Sequence, residues 1–228
     1  GMSVPKNNAT SSAVVERSNT KLAAVVDDQK SIDKKQNDQM FQRMADQLEV
    51  AADYYREQLK HATKAISYLK QRGLSGELAA RFKIGYAPDG LRNLSQIFAD
   101  YDQDESENLL LRNGLVIKSN NGKYYDRFRA RIIFPILNQK GQIIGFGGRV
   151  IDAASGPKYL NSPETPLFIK SRELYNLFSA RKAIRESGRV LVVEGYMDVV
   201  MLSQYGIEYA VATLGTATTS SHIQKLLR

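Results

Sequence analysis

Polar and apolar positions in this 228-residue chain fall into successive patterns, each with its own period. Residues 2–36 are rich in Ser, Asn, Asp and Lys, with scattered valines and no sustained period. They read as a flexible linker with a short helix around Leu22–Val26. From Asp38 the period becomes helical. Phe41, Met44, Leu48, Ala52, Tyr55 and Leu59 recur at steps of three and four, and Ala62, Ala65, Ile66 and Leu69 continue the stripe to Gly73. Short helices are predicted over Ser75–Phe82, Leu91–Asp100 and Glu105–Arg112.

From Leu115 the chain reads as strands. Leu115–Lys118 and Lys123–Tyr125 flank Asn121-Gly122, and Arg131–Leu137 and Gln142–Val150 flank Gln139-Lys140-Gly141, predicting two hairpins. Pro157–Pro166 reads as a loop and Arg172–Glu186 as a helix. Val190–Val193 is then a β-branched run, expected to be a buried parallel strand, that stops at Glu194-Gly195. A helix over Tyr196–Gln204, a second strand over Ile207–Ala212 and a hydroxyl-rich loop over Thr213–Thr219 come next. Ser220 or Ser221 is expected to cap a last helix. The order of helices, antiparallel strands and a parallel βαβ unit predicts an α+β fold whose final part begins an α/β one.

Composition narrows the functional classes. The chain has no cysteine, which excludes disulfides and thiolate zinc sites, and its two histidines, His61 and His222, read as surface or helix residues. No apolar run approaches the roughly 18 residues of a membrane span. No secretory signal opens the chain, so a cytoplasmic protein with no membrane partner is expected. The net charge of +8 is concentrated: Arg127–Arg189 holds twelve Lys/Arg against four Asp/Glu, and the remainder is neutral. A basic stretch on a neutral background is the footprint of a nucleic-acid binder.

Candidate chemistry falls in the same stretches. Arg127, Arg129 and Arg131 alternate, so an extended backbone would place all three on one face, with Phe128 and Ala130 on a buried one. Three neighbouring cations call for an anionic partner such as a phosphate backbone. Gly145-Phe146-Gly147-Gly148 has strands on both sides, which rules against a phosphate loop and points to a bulge or a close backbone approach. Phe146 is expected in the core, whereas Tyr159 is open between packing and base stacking. Glu194 stands at a strand's carboxyl end, where α/β sheets place ligands, and Gly195 leaves the approach clear. Asp198 either complements the positive end of the following helix or helps to shape a metal site with Glu194.

Five strings resemble, in order and spacing, the RNA-polymerase domain of the bacterial DnaG-type primases. They are Tyr125–Arg131, Gly145–Arg149, Pro157–Thr165, Val192–Val200 and Leu214–Thr219, within a similarity running from about Ala65 to Arg228. The strand, acid, helix, strand and loop unit is similar to the opening of a Toprim domain, the metal-dependent module of primases, type IA and type II topoisomerases and some nucleases. The resemblance implies a linker at 1–36, a basic N-terminal subdomain at 37–187 and a truncated Toprim domain at 188–228. It further implies a DNA-dependent RNA polymerase that makes short primers on single-stranded DNA from ribonucleoside triphosphates, using Mg²⁺ or Mn²⁺. Glu194 would be the metal ligand or general base, with Asp198 beside it. Arg127, Arg129, Arg149, Lys158 and Lys170 would guide the template, and Lys158, Asn161 and Lys170 would meet the incoming nucleotide.

The Toprim pattern adds an Asp-x-Asp pair after a further strand, which this sequence does not reach. The chain is therefore expected to be an inactive piece of a larger primase. Zinc binding and contact with the replicative helicase would belong to modules outside it. Two other readings arise from the same residues: a strand-breaking Toprim nuclease or topoisomerase, and a non-catalytic module that binds single-stranded DNA.

Overall fold

The computed structural model describes residues 10–104, 108–152 and 157–227, with side chains from Asp33 onward. It opens on helices α1 (Thr10–His61), α2 (Thr63–Gln71) and α3 (Gly76–Arg81), followed by strand β1 (Gly85–Ala87) and helix α4 (Leu109–Arg112). Strands β2 (Val116–Lys118), β3 (Tyr124–Asp126), β4 (Arg131–Leu137), β5 (Ile143–Val150) and β6 (Tyr159–Asn161) come next. The chain ends on α5 (Leu177–Ser187), β7 (Leu191–Val193), α6 (Tyr196–Gln204), β8 (Ala210–Ala212) and α7 (Ser220–Leu226). Two compact units divide at Gln42/Arg43. In the first, the described residues are the opening part of α1; the second holds the sheets and every candidate site residue.

Within the predicted linker, residues 10–36 are helical, and residues 1–9 lie outside the described residues. No glycine or proline occurs between Pro5 and Gly73, so nothing in the sequence breaks α1, and its many Lys, Gln and Ala residues are good helix formers. The amphipathic stripe then decides which part packs: Met44, Leu48, Ala51, Ala52 and Tyr55 are buried.

A four-stranded antiparallel sheet, ordered β1-β4-β5-β6, is the centre of the second unit. Its central strand β4 reads Arg-Ile-Ile-Phe-Pro-Ile-Leu because both of its faces are covered. Ile132, Phe134 and Ile136 pack with α2, α3 and α6 residues such as Leu69, Leu78 and Val200, while Ile133 joins Leu48, Tyr55 and Phe146 on the α1 side. The register between β4 and β5 slips at Ile136/Leu137, leaving Ile144 as a bulge beside Gly145. Both predicted hairpins form: β2 pairs with β3, and β4 with β5.

Several boundaries differ from expectation. β1 has no counterpart among the predicted elements, and the predicted loop after Pro157 contains β6, which pairs with β5. The Leu91–Asp100 helix shrinks to a single 3-10 turn at Asn93–Gln96. In the predicted Glu105–Arg112 helix, residues 105–107 lie outside the described residues, and α4 begins after Asn108, whose side chain accepts from Leu111 N–H. The helix expected from Arg172 starts only at Leu177, because Tyr175 exchanges backbone hydrogen bonds with Ala212 and Asn176 turns at φ +67°. Thr219, rather than either serine, caps α7.

The parallel βαβ unit is present, with Leu191–Val193 registered on Ala210–Ala212. Yet β7 is not the buried strand its apolar run suggests: Leu191 and Val192 are each 38% exposed. Side chains of a parallel strand are buried only where both faces of the sheet are covered, and in this two-stranded sheet the neighbouring Leu191 and Val192, on opposite faces, are both left partly open.

Gly147 joins the two parts of this unit. Opposite Phe134 and Asn161 in the sheet, it lies directly beneath the Tyr196 ring, where a Cβ would overlap Cζ and Cε2. That ring stacks on Phe134 at 5.4 Å and meets Tyr175 edge-on at 4.9 Å, so it has nowhere to retreat. Gly147→Ala is expected to cost about 1–3 kcal/mol, as overpacked cores do. Gly76→Ala, at a helical site with nothing within 4 Å, should not destabilise. Thermal unfolding checks the pair, and equal midpoints would contradict the packing described.

Candidate nucleic-acid and metal site

Both strands of the parallel pair end on one edge, and a cleft of about 580 Å³ opens there, bounded by Val193, Glu194, Thr213, Gly215, Thr216 and Thr218. Glu194 is exposed at its rim. The buried hydroxyl of Thr216 makes no hydrogen bond. Asp198 sits in the first turn of α6, a helix with no side-chain cap, and its Oδ2 turns back to 2.8 Å from where a Cβ on Gly195 would stand. That placement complements the positive helix end. These are hard oxygen donors, the kind that Mg²⁺ or Mn²⁺ takes, and Mg²⁺ often uses only one or two carboxylates. Among the described residues no three His, Cys, Asp or Glu side chains group together, so the cleft offers one carboxylate wall.

The arginine run does not alternate as expected. Arg127–Ala130 lies between β3 and β4 rather than within a strand, and Ala130 turns the backbone at φ +49°. Ala130 is consequently half-buried, and only Phe128 is in the core. The three guanidinium groups diverge. Arg127 sends Nε and Nη2 to the Asn161 carbonyl at 3.2 and 3.0 Å, Arg129 donates to the Asp126 carbonyl at 2.8 Å beside the Tyr125 ring, and buried Arg131 donates to the Pro157 carbonyl at 2.8 Å. Burial lowers the pKa of Arg127, and burial followed by the charge of Arg129 lowers that of Arg131.

The remaining predicted cations differ in exposure. Arg149 is only 6% exposed and donates to the hydroxyls of Tyr68 and Tyr159, so it is no open surface charge. Lys158 is exposed, with Nζ 5.7 Å from the Tyr159 ring, and Tyr159 is itself 40% exposed. Phe146 is fully buried. Lys170 is half-buried; its backbone N–H donates to Glu164, and its carbonyl faces Nε2 of His222 at 3.1 Å. Because Thr219 N–H donates to Nδ1 of His222, the ring proton is on Nε2 and His222 is a buried capping residue. None of Arg127, Arg129, Arg149, Lys158 and Lys170 is ion-paired among the described residues, whereas Arg56, Lys60, Arg81, Arg92, Lys182 and Lys225 all are.

Asn161 is where the two halves meet. Its Nδ2 donates to the Leu214 carbonyl at 2.8 Å and its Oδ1 accepts from the Tyr196 hydroxyl at 2.6 Å. A residue expected to touch nucleotide thus has both ends of its amide engaged with protein. Tyr196 and Tyr68 are not among the predicted site residues. Tyr196 stands two places after Glu194, the one local hint; Tyr68 is 81 residues from Arg149 and carries none.

Asp126 holds the arginine segment from behind. Fully buried, it accepts from Leu94 N–H at 3.1 Å and from the Tyr101 hydroxyl at 2.8 Å, and its own N–H donates to the Leu91 carbonyl. Burial raises its pKa above the ordinary carboxylate value, against the lowering effect of those hydrogen bonds.

Comparison with known proteins agrees with this arrangement. A family model described as the DNA primase catalytic core, N-terminal domain, matches residues 54–181, and a Toprim domain model matches 188–228. The DNA primase of Neisseria meningitidis is 55% identical over 177 residues, 78% of this chain and 29% of the relative. That of Escherichia coli is 51% identical over 77% of this chain and 30% of its own length. The chain therefore spans under a third of the curated relatives it matches. A solved structure of the DnaG primase catalytic domain bound to ssDNA superposes with a TM-score of 0.76 at 47% identity, covering 83% of this chain and 61% of that one. The RNA polymerase domain of Mycobacterium tuberculosis primase DnaG, in complex with double-stranded DNA, gives 0.73 at 34% identity over 82% and 59%. With its basic segment, its glycine-bearing sheet and the start of a Toprim unit in one fold, this chain belongs to the DnaG-type DNA primase family.

Proposed function

We propose that the chain is the template-guiding part of a primer-synthesising enzyme, a nucleotidyltransferase that copies single-stranded DNA into short RNA during replication. Residues 37–187 would form the basic subdomain and 188–228 the opening of the Toprim domain. The observation that carries this reading is the set of five cations without carboxylate partners, one of which, Arg127, is tied through Asn161 to the loop beside Glu194. Arg129, Lys158 and Lys170 would contact template phosphates, with Lys158 and Lys170 also within reach of the incoming triphosphate. Arg127 and Arg149, held by Asn161 and by two tyrosines, would present fixed positive charge, and exposed Tyr159 would stack on a base.

Glu194 would hold one divalent ion, Mg²⁺ or Mn²⁺, or act as base at the primer hydroxyl, with the Thr216 hydroxyl as a further oxygen. Such an ion supplies charge neutralisation on the transferred phosphoryl group. Zinc, the helicase contact and the remaining acidic ligands would come from sequence outside these residues. The chain by itself would then bind template without catalysis.

The test is a salt titration of single-stranded DNA binding by this chain. Affinity should fall log-linearly with salt, at about −0.7 in slope per phosphate neutralised. Arg129→Ala and Lys158→Ala should each flatten the slope by about 0.7. Binding indifferent to salt would remove the basis of the proposal.

A further inference from the structure

We propose that Asn161 is a positioning residue: through its bonds to Tyr196 and Leu214 it sets the Glu194 cleft against the arginine segment. The inference rests on the primer-synthesis reading and assigns Asn161 a different part in it from nucleotide contact.

The geometry is specific. Asn161 ends β6, opposite Gly147 in the sheet. Because residue 147 has no side chain, the Tyr196 ring can lie across β5 and bring its hydroxyl to Oδ1 of Asn161 at 2.6 Å. From the same amide, Nδ2 reaches the carbonyl of Leu214, the residue before Gly215 and Thr216 on the cleft wall. Gly215 passes close as well, with Nδ2 3.3 Å from where its Cβ would be. The backbone carbonyl of Asn161 holds Arg127 by two N–H groups.

One residue therefore touches the arginine segment, the start of the helix after Glu194, and the threonine loop across the cleft. No other hydrogen bond among the described residues ties β6 to α6. Thr213 N–H to the Val193 carbonyl, at 3.1 Å, closes the base of the cleft, but it lies wholly within the parallel pair and cannot relate that pair to the basic sheet. An amide is required at position 161, since only it accepts from a phenol with one atom and donates to a carbonyl with the other. A carboxylate keeps the first bond and sets an oxygen against the Leu214 carbonyl in place of the second.

Asn161→Asp and Tyr196→Phe test this in a full-length primase carrying this sequence. Tyr196→Phe keeps the buried ring and removes only the hydroxyl, so it serves if Asn161→Asp folds poorly. Both should lower kcat by roughly tenfold to a hundredfold through misplacement alone. Template affinity, its salt slope and KM for nucleotide should stay within about twofold of wild type. Backbone hydrogen exchange at residues 215–218 should quicken about tenfold or more in each variant.

A raised KM for nucleotide at unchanged kcat would overturn the proposal in favour of direct nucleotide contact. So would wild-type kcat, or unchanged exchange, in both variants. Should the unmutated protein make no primer, the functional reading itself fails, and hydrogen exchange alone still decides whether Asn161 restrains the loop.

Discussion

Glu194→Gln is expected to abolish primer synthesis by a full-length primase carrying this sequence, a loss of roughly a thousandfold or more, as for groups that stabilise transition-state charge. Glu194 is exposed at the carboxyl end of β7, so the substitution removes a charge without disturbing a core. Glutamine keeps the size and an acceptor oxygen but neither holds a divalent ion well nor takes a proton. Template affinity and its salt slope should be unchanged, because the unpaired cations lie on the β3–β4 connection, on β5, just before β6 and in the turn before α5. Primer yield and template binding measured on one preparation check this. Wild-type yield would remove Glu194 from the chemistry, and equal loss of binding would make it a structural residue.

Asp126→Ala should be the most destabilising substitution behind the arginine segment. It strands the Leu94 N–H in the core, at about 1–3 kcal/mol for a buried group left unpaired, and leaves the Tyr101 hydroxyl only its longer bond to the Leu91 carbonyl at 3.4 Å. Arg129 should also shift, because the main-chain carbonyl it binds sits on residue 126, whose side chain no longer anchors the segment, and single-strand affinity should fall with stability. The pH dependence has a definite sign. Burial raises the folded-state pKa of Asp126 above its ordinary value of 3.8, so the folded protein binds this proton more readily than the unfolded chain. Its favourable contribution is complete below that ordinary value and is lost as pH rises through the raised one. Compared with Asp126→Asn, whose amide never ionises, the wild-type protein should gain relative stability as pH falls from neutral toward 4. Denaturant unfolding of both proteins across that range checks the sign, and a relative loss would contradict it.

How legible the molecule is in its sequence varies by element. Tyr196–Gln204 is readable to the residue because an apolar run, a glycine and a terminal Tyr-Gly bracket it locally. Both hairpins are readable because their turns carry Asn-Gly and Lys-Gly signals. The three-residue strands β1 and β6 carry no such signal, since each exists only through pairing with a neighbour in the sheet. The delayed start of α5 has the same cause: the backbone of Tyr175 bonds to Ala212, 37 residues away, in place of a helical turn. At the site, residue type singles out Glu194 and the basic positions as candidates. It cannot show that Arg127, Arg129 and Arg131 diverge, because one left-handed residue, Ala130, breaks a pattern that alternation presumes.

By itself the sequence determined the features set by local chemistry and by strings of residues: the α+β order, the concentration of positive charge, the acid at a strand end and the DnaG-type resemblance. These depend on neighbours a few positions apart, or on patterns that survive without coordinates. The tertiary structure alone decided which of the chemical groups remain available. It buried Arg149 between two tyrosines, engaged both ends of the Asn161 amide, and left the apolar strand β7 partly open to solvent. Each outcome depends on partners distant in the sequence brought within hydrogen-bonding or packing distance. A hydrogen bond is satisfied by position in space and not by position in the chain.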